Sequence, residues 1–122
     1  MNYKNKISAF KANKSLIKTL NQKEGWLKIF SNNLIGHELV KFQIMWHIKK
    51  MGWSCWSEAE FVSPYKGRSD IFACNGPDYV IIEVLDSETE EECLKKCKTY
   101  PGYPNSIRMI KVEDFDLNTF KL

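Results

Sequence analysis

Apolar residues recur at helical spacing over residues 7–30, at Ile7, Phe10, Leu16, Ile17, Leu20, Trp26, Leu27 and Phe30, with lysines between them. This pattern predicts one or two helices, broken near Asn21 and Gly25. Residues 36–51 form the clearest helix, with a broad apolar face of Leu39, Val40, Ile44, Trp46, Ile48 and Met51. Lys49 and Lys50 stand at its C-terminal end and Gly52 follows, which suits the helix dipole and a glycine stop. Residues 53–62 read as an aromatic-rich strand closed by the turn Ser63-Pro64-Tyr65-Lys66-Gly67. A second short strand covers 68–74, and Asn75-Gly76-Pro77-Asp78 is a strong turn signal. Residues 79–85 are β-branched and almost continuously apolar, the mark of a central strand covered on both faces. Ser87 with Glu90 three residues later reads as a capping box opening a helix, acidic in its first turns and basic at Lys95, Lys96 and Lys98. Tyr100-Pro101-Gly102-Tyr103-Pro104 stops it, and 107–112 is the last strand. Three strands at hairpin spacing followed by a helical crossover predict an α/β fold, a mixed central sheet flanked by helices, behind an N-terminal helical arm.

The 122 residues, 43% hydrophobic and 13% aromatic, are enough for one compact core and argue against disorder. No apolar run approaches the ~18 residues of a membrane span, and no secretory signal is evident, so no membrane association is expected. Cys55, Cys74, Cys93 and Cys97 do not make a disulfide-dense scaffold, and a reduced, intracellular (cytoplasmic) protein is expected. The net charge of +3 hides an asymmetry. Residues 1–36 hold seven lysines and one glutamate, whereas 37–122 hold eleven basic and fourteen acidic side chains. A basic extension over 1–35 leading into a mildly acidic domain over 36–122 fits either contact with a polyanion or a solvated helix face.

Candidate chemistry centres on two acids. Asp70 lies in the strand Arg68-Ser69-Asp70-Ile71, and Glu83 interrupts the most apolar strand, in Ile81-Ile82-Glu83-Val84-Leu85. A carboxylate in such a strand is costly to bury unless a cation or hydrogen bonds compensate it. An antiparallel turn at 75–78 brings Asp70 and Glu83 to the same end of the sheet. Two converging carboxylates with a main-chain carbonyl between them form an oxygen-rich site suited to Mg²⁺ or Mn²⁺, and each acid paired with Lys or Arg is the alternative. Cys93 and Cys97, His37 and His47, and Trp46, Trp53 and Trp56 read as core or partly exposed residues, with too few companions for a second metal site. Arg68 either clamps a phosphate or pairs with an acid.

Glu38 in the first long helix, Gly52-Trp53 at its end, Arg68-Ser69-Asp70-Ile71 and Ile82-Glu83-Val84, in that order, resemble the PD-(D/E)XK nuclease superfamily, most of all its archaeal Holliday-junction resolvase and RecB-like branch. The resemblance covers roughly residues 36–112 and implies a restriction-endonuclease-like αβββαβ core. By resemblance, Asp70 and Glu83 are metal ligands, the Val84 carbonyl is a main-chain ligand, and Glu38 points into the catalytic site as a further ligand, directly or through water. It further implies an Mg²⁺- or Mn²⁺-dependent DNA endonuclease acting on branched or damaged DNA, and a homodimer, with the N-terminal helices as one way to build its interface. The sequence departs from the family at Leu85, where a lysine is expected. Some branches supply that lysine from the next helix. Lys95, Lys96 and Lys66 are available here, and Lys96 is favoured because it flanks the Cys93–Cys97 face. Without a replacement lysine, the alternative is a catalytically inactive nuclease-fold module that binds DNA or protein.

Overall fold

The computed structural model describes residues 3–19 and 23–122. Its elements are α1 (Tyr3–Lys14), α2 (Ile35–Lys50), β1 (Ser54–Glu60), β2 (Arg68–Asn75), β3 (Asp78–Leu85), α3 (Glu90–Lys96) and β4 (Ile107–Lys111), with short 3-10 turns at Cys97–Thr99 and Val112–Asp114. The strands form one mixed sheet in the order β1-β2-β3-β4, antiparallel except for the parallel β3–β4 pair. Among the described residues, no helix is long and apolar enough to cross a membrane.

Strand alternation divides the core into two layers. Phe72 and Cys74 of β2 and Ile81 and Leu85 of β3 face Cys93, Cys97 and Tyr100. Ile71 and Ala73 of β2 and Ile82 and Val84 of β3 face Val40, Ile44, Met45 and Ile48 of α2. The sheet is thus held between α2 on one side and the α3 segment on the other, and β3 is covered on both faces as its apolar run requires. Asn75 pairs with Asp78 across the β2–β3 turn, and Gly76 adopts φ +61°, the left-handed conformation that a two-residue hairpin loop needs.

Three expectations need correction. Of the one or two helices expected over 7–30, the described residues hold one, α1, which ends at Lys14, so the helical reading of the 23–30 part fails. Gly25 adopts φ +78°, and its N–H donates to the Cys55 carbonyl. Ser57 Oγ accepts from Lys28 N at 2.7 Å and donates to the Trp26 carbonyl at 2.9 Å. Apart from a single turn bond from Trp26 N to the Lys23 carbonyl, the main chain over 25–28 bonds to β1, so the apolar spacing there serves packing along a strand edge. Lys18 N–Glu60 O and Val62 N–Leu16 O bonds extend this edge cover, and Ile17 enters the core. The predicted break at Asn21 lies outside the described residues.

The second correction concerns the start of α3. Its N-cap is Thr89, whose hydroxyl accepts from Glu92 N at 3.1 Å, so the capping box lies two residues beyond Ser87 and the helix has only 7 residues. Thr89 and Glu92 repeat the same spacing, and residues 86–88 are needed to turn the chain off β3. Third, Leu39, Trp46 and Met51 do not belong to the buried face of α2; all three are exposed, and Lys41 and Met45 are buried instead.

The turn before β2 is set by a close approach. Gly67 has φ +106°, and a Cβ there would lie 2.6 Å from Tyr100 Cε1. Tyr100 Oη in turn donates to the Arg68 carbonyl at 2.7 Å, which fixes the strand that carries Asp70. Gly67→Ala should therefore lower stability by roughly 1–3 kcal/mol through backbone strain and overpacking. Urea denaturation followed by far-UV circular dichroism measures this, and a change within experimental error contradicts the packing described.

Candidate metal and catalytic site

The ladder between β2 and β3 runs from Asn75↔Asp78 to Ile71↔Ile82 and stops there. The next pair in register is Asp70 and Glu83, so the two acids stand opposite each other where the strands part. Both share the strand parity of the residues facing α3. Beyond this point the Asp70 carboxylate replaces a main-chain acceptor, taking the Val84 N–H at 2.7 Å. Placing Asp70 and Glu83 on one hairpin is therefore a direct consequence of the 75–78 turn.

Glu83 is 1% exposed, and among the described residues its Oε1 has no hydrogen-bond partner. Burial, reinforced by the neighbouring Asp70 charge, pushes its carboxyl up to about 9. Asp70 moves the other way. Burial works against its charge, but the hydrogen bonds it accepts from His37, from the Val84 N–H and from the protonated Glu83 carboxyl hold it below the usual range. Below about pH 9 these opposite shifts favour a protonated Glu83 beside an ionised Asp70.

Lys96 Nζ lies 3.6 Å from Glu83 Oε2 and 3.5 Å from Glu88 Oε1. Partial burial disfavours its charge, yet the surrounding acids outweigh that and keep the ammonium protonated. Lys95 instead approaches Glu91 on the solvent side at 3.8 Å. Leu85 follows Glu83 on the same face but is buried in the α3-side core layer, so the ammonium beside Glu83 comes from α3.

Glu38 does not meet Glu83. Its Oε1 accepts from Asn33 Nδ2 at 2.7 Å and lies 3.0 Å from His37 Nδ1, while Oε2 is 2.9 Å from Lys41 Nζ. His37 Nε2 is 3.4 Å from Asp70 Oδ2, so the imidazole bridges Glu38 and Asp70. The hydrogen bond to Asp70 leads a set of interactions that raise the His37 pKa against its burial.

Three residues of this network escaped the sequence reading: His37, Lys41 and Glu58. Lys41 is fully buried, donates to the Lys28 carbonyl at 2.8 Å, and lies 3.8 Å from Glu58 Oε1 in addition to its contact with Glu38. Glu58 has φ +51°, unusual for a residue other than glycine. Trp56 and then Ala59 and Phe61 enter the same core layer, so the strand alternation slips at Glu58 and its carboxylate goes to Lys41. The available signals were a glutamate inside the aromatic strand and a lysine three residues after Glu38, the spacing of a helical ion pair.

A cleft of about 1020 Å³ opens over this region, lined among others by His37, Glu58, Arg68, Asp70, Val84 and Lys96. Arg68 lays its guanidinium 5.0 Å from the Phe30 ring centre. All four cysteines are free and buried, and burial pushes the thiols of Cys55 and Cys74 up to about 12 and 11, which leaves them unreactive.

Among the described residues, no group of three or more His, Cys, Asp or Glu side chains is arranged to hold a metal ion. A magnesium-type site needs fewer, because such ions commonly take one or two carboxylates and complete their shell with water and phosphate oxygens. Asp70, Glu83 with its unpartnered Oε1, and the adjacent main chain fit that donor set.

Two outcomes follow from these buried charges. A carboxyl whose folded pKa exceeds its unfolded value contributes stability that is complete below the unfolded value and is lost as pH rises through the folded one. With chelator present, stability should therefore fall between pH 4.5 and about 9, by at most about 1.4 kcal/mol per pH unit from this group. Glu83→Gln should remove that component of the slope in urea titrations at several pH values. Lys41→Ala should cost about 3–5 kcal/mol in the same assay, because Glu38 and Glu58 then stay buried without their cation. A loss below about 1 kcal/mol would show that water replaces the ammonium. Comparison of the chain with family models, with curated proteins and with solved structures finds no match in any of the three.

Proposed function

We propose that the protein is a metal-dependent DNA endonuclease with a restriction-endonuclease-like αβββαβ core. The observation that carries this reading is the meeting of Asp70, Glu83 and Lys96 at one end of a mixed sheet, beside an open cleft. The element order α2, β1, β2, β3, α3, β4 supports this reading, because the PD-(D/E)XK resemblance implies an αβββαβ core.

In this reading Asp70, Glu83 and the Val84 carbonyl would hold Mg²⁺ or Mn²⁺, which when bound would supply a water of lowered pKa and offset negative charge on the phosphate. Asp70 is preset for ligation by its bond from Val84 N, which leaves its other oxygen for the metal. Lys96 keeps a positive charge beside Glu83, where it orients the attacking water and stabilises the developing phosphorane charge. Glu38 acts through His37, holding the imidazole against Asp70 as a positioning residue. Arg68 and Lys66, which also line the cleft, face the DNA backbone.

A second reading, a nuclease-fold module that binds DNA without cutting it, draws support from Leu85, which is buried in the core at the position where the resemblance expects a lysine. Cleavage assays on branched, single-stranded and duplex DNA with Mg²⁺ or Mn²⁺ separate the two. Asp70→Ala and Glu83→Ala should abolish cleavage, and Lys96→Ala should reduce it by about 10²–10⁴-fold. Unchanged cleavage in the Asp70 and Glu83 variants would falsify the nuclease assignment. Salt-sensitive binding that ignores Mg²⁺, with no cleavage by the wild type, favours the second reading.

A further inference from the structure

One cation in the cleft lacks a carboxylate partner. Arg68 is exposed and makes no ion pair among the described residues, although Glu58, Asp70 and Glu88 line the same cleft. Its guanidinium lies instead over the face of Phe30, 5.0 Å from the ring centre. Contact with a ring face holds a guanidinium in place without using any of its N–H donors, which stay available to a ligand. The main chain beneath is fixed as well, because Tyr100 Oη donates to the Arg68 carbonyl at 2.7 Å.

Phe30 is itself tied down on both sides along the chain. Before it, Lys28 N donates to Ser57 Oγ at 2.7 Å, and the Lys28 carbonyl accepts from the buried Lys41 at 2.8 Å. After it, Asn33 N donates to the Phe30 carbonyl at 3.1 Å, and Asn33 Nδ2 donates to Glu38 Oε1 at 2.7 Å. Lys41 Nζ also stands 5.7 Å from the Phe30 ring centre. Phe30, Asn32 and Asn33 line the cleft together with Arg68 and Asp70. Residues 28–33 thus build one wall of the cleft, although they precede α2 and lie outside the stretch that resembles a nuclease.

We propose that Phe30 is a positioning residue that presents Arg68 as a clamp for the DNA backbone phosphate next to the scissile one. The choice of that phosphate rests on the nuclease reading of the Asp70–Glu83 site. Arg68 stands two residues before Asp70 on β2, a spacing of about 7 Å along the strand, which suits the phosphate one step along the DNA from the one at the acids. A planar guanidinium takes such a group through two parallel N–H···O bonds, and an orientation set in advance by Phe30 lowers the entropy lost on binding. A contact one nucleotide from the reacting bond is made equally in the ground state and the transition state, so it acts on affinity and not on turnover.

Fluorescence anisotropy of the full chain on labelled duplex and branched DNA with Ca²⁺, paired with steady-state cleavage with Mg²⁺, tests the proposal. Arg68→Ala should raise Kd and KM about 10-fold, leave kcat within about 3-fold, and lower the slope of log affinity against log salt by about one. Phe30→Leu keeps the bulk and removes the ring face; it should raise Kd and KM about 3-fold with the salt slope unchanged, and Phe30→Tyr should restore both. Far-UV circular dichroism should be the same for all variants. A neutral methylphosphonate in place of the phosphate beside the cut should weaken binding to the wild type and make no difference to Arg68→Ala. Wild-type cleavage with Kd and KM indifferent to Arg68→Ala and Phe30→Leu overturns the clamp and leaves the nuclease reading intact. A wild type that binds DNA without cutting it removes the nuclease reading, and the salt slopes and the Phe30→Tyr rescue then decide the clamp by themselves.

Discussion

A carboxyl group buried in the most apolar strand is the constraint around which this structure is arranged. Glu83 sits between Ile82 and Val84, both in the α2-side core layer, and its own side chain turns toward α3. A lone carboxylate there would be prohibitively costly to desolvate. Two nearby groups relieve it: the half-exposed ammonium of Lys96, and the proton that Asp70's charge helps retain on Glu83.

A second buried charge balances the first. Lys41 projects from α2 into a pocket closed by Glu38, Glu58 and the Lys28 carbonyl, and in doing so ties the helix, β1 and the 23–30 segment together. His37 connects this cluster to Asp70, so ionisable groups run without a break from Glu58 to Glu88 across the end of the sheet. Such a network holds its members in fixed geometry because each would be costly to leave unpaired. The sheet itself adapts: β1 passes through a left-handed residue at Glu58, and β2 and β3 part at Asp70. Backbone irregularity and chemistry-bearing residues coincide at the same end of the molecule, where the cleft opens.

Much of this was legible in the chain. The order of α2, three strands, α3 and β4 follows from hydrophobic periodicity and turn residues, and the Asn75–Asp78 turn sets the register that aligns Asp70 with Glu83. Lys96 was reached through its neighbours Cys93 and Cys97, whose burial orients the face of α3. The N-terminal segment was misread because apolar residues along a strand edge imitate helical spacing when the chain is irregular. Residues 16–18 and 25–28 owe their conformation to bonds with β1 and the residues just after it, partners 29 or more residues away in sequence.

Periodicity and turn chemistry are local, and they determined which segments became helix or strand and which two acids would face each other. Burial of charge is not local. Whether Glu38 would point at Glu83 or be captured by Lys41, and whether Leu39 and Trp46 would lie inside or outside, depended on which side of α2 the sheet came to cover. That choice belongs to tertiary packing, because a helix apolar on two sides and a glutamate with several cations within reach each have more than one favourable arrangement until the rest of the molecule is in place.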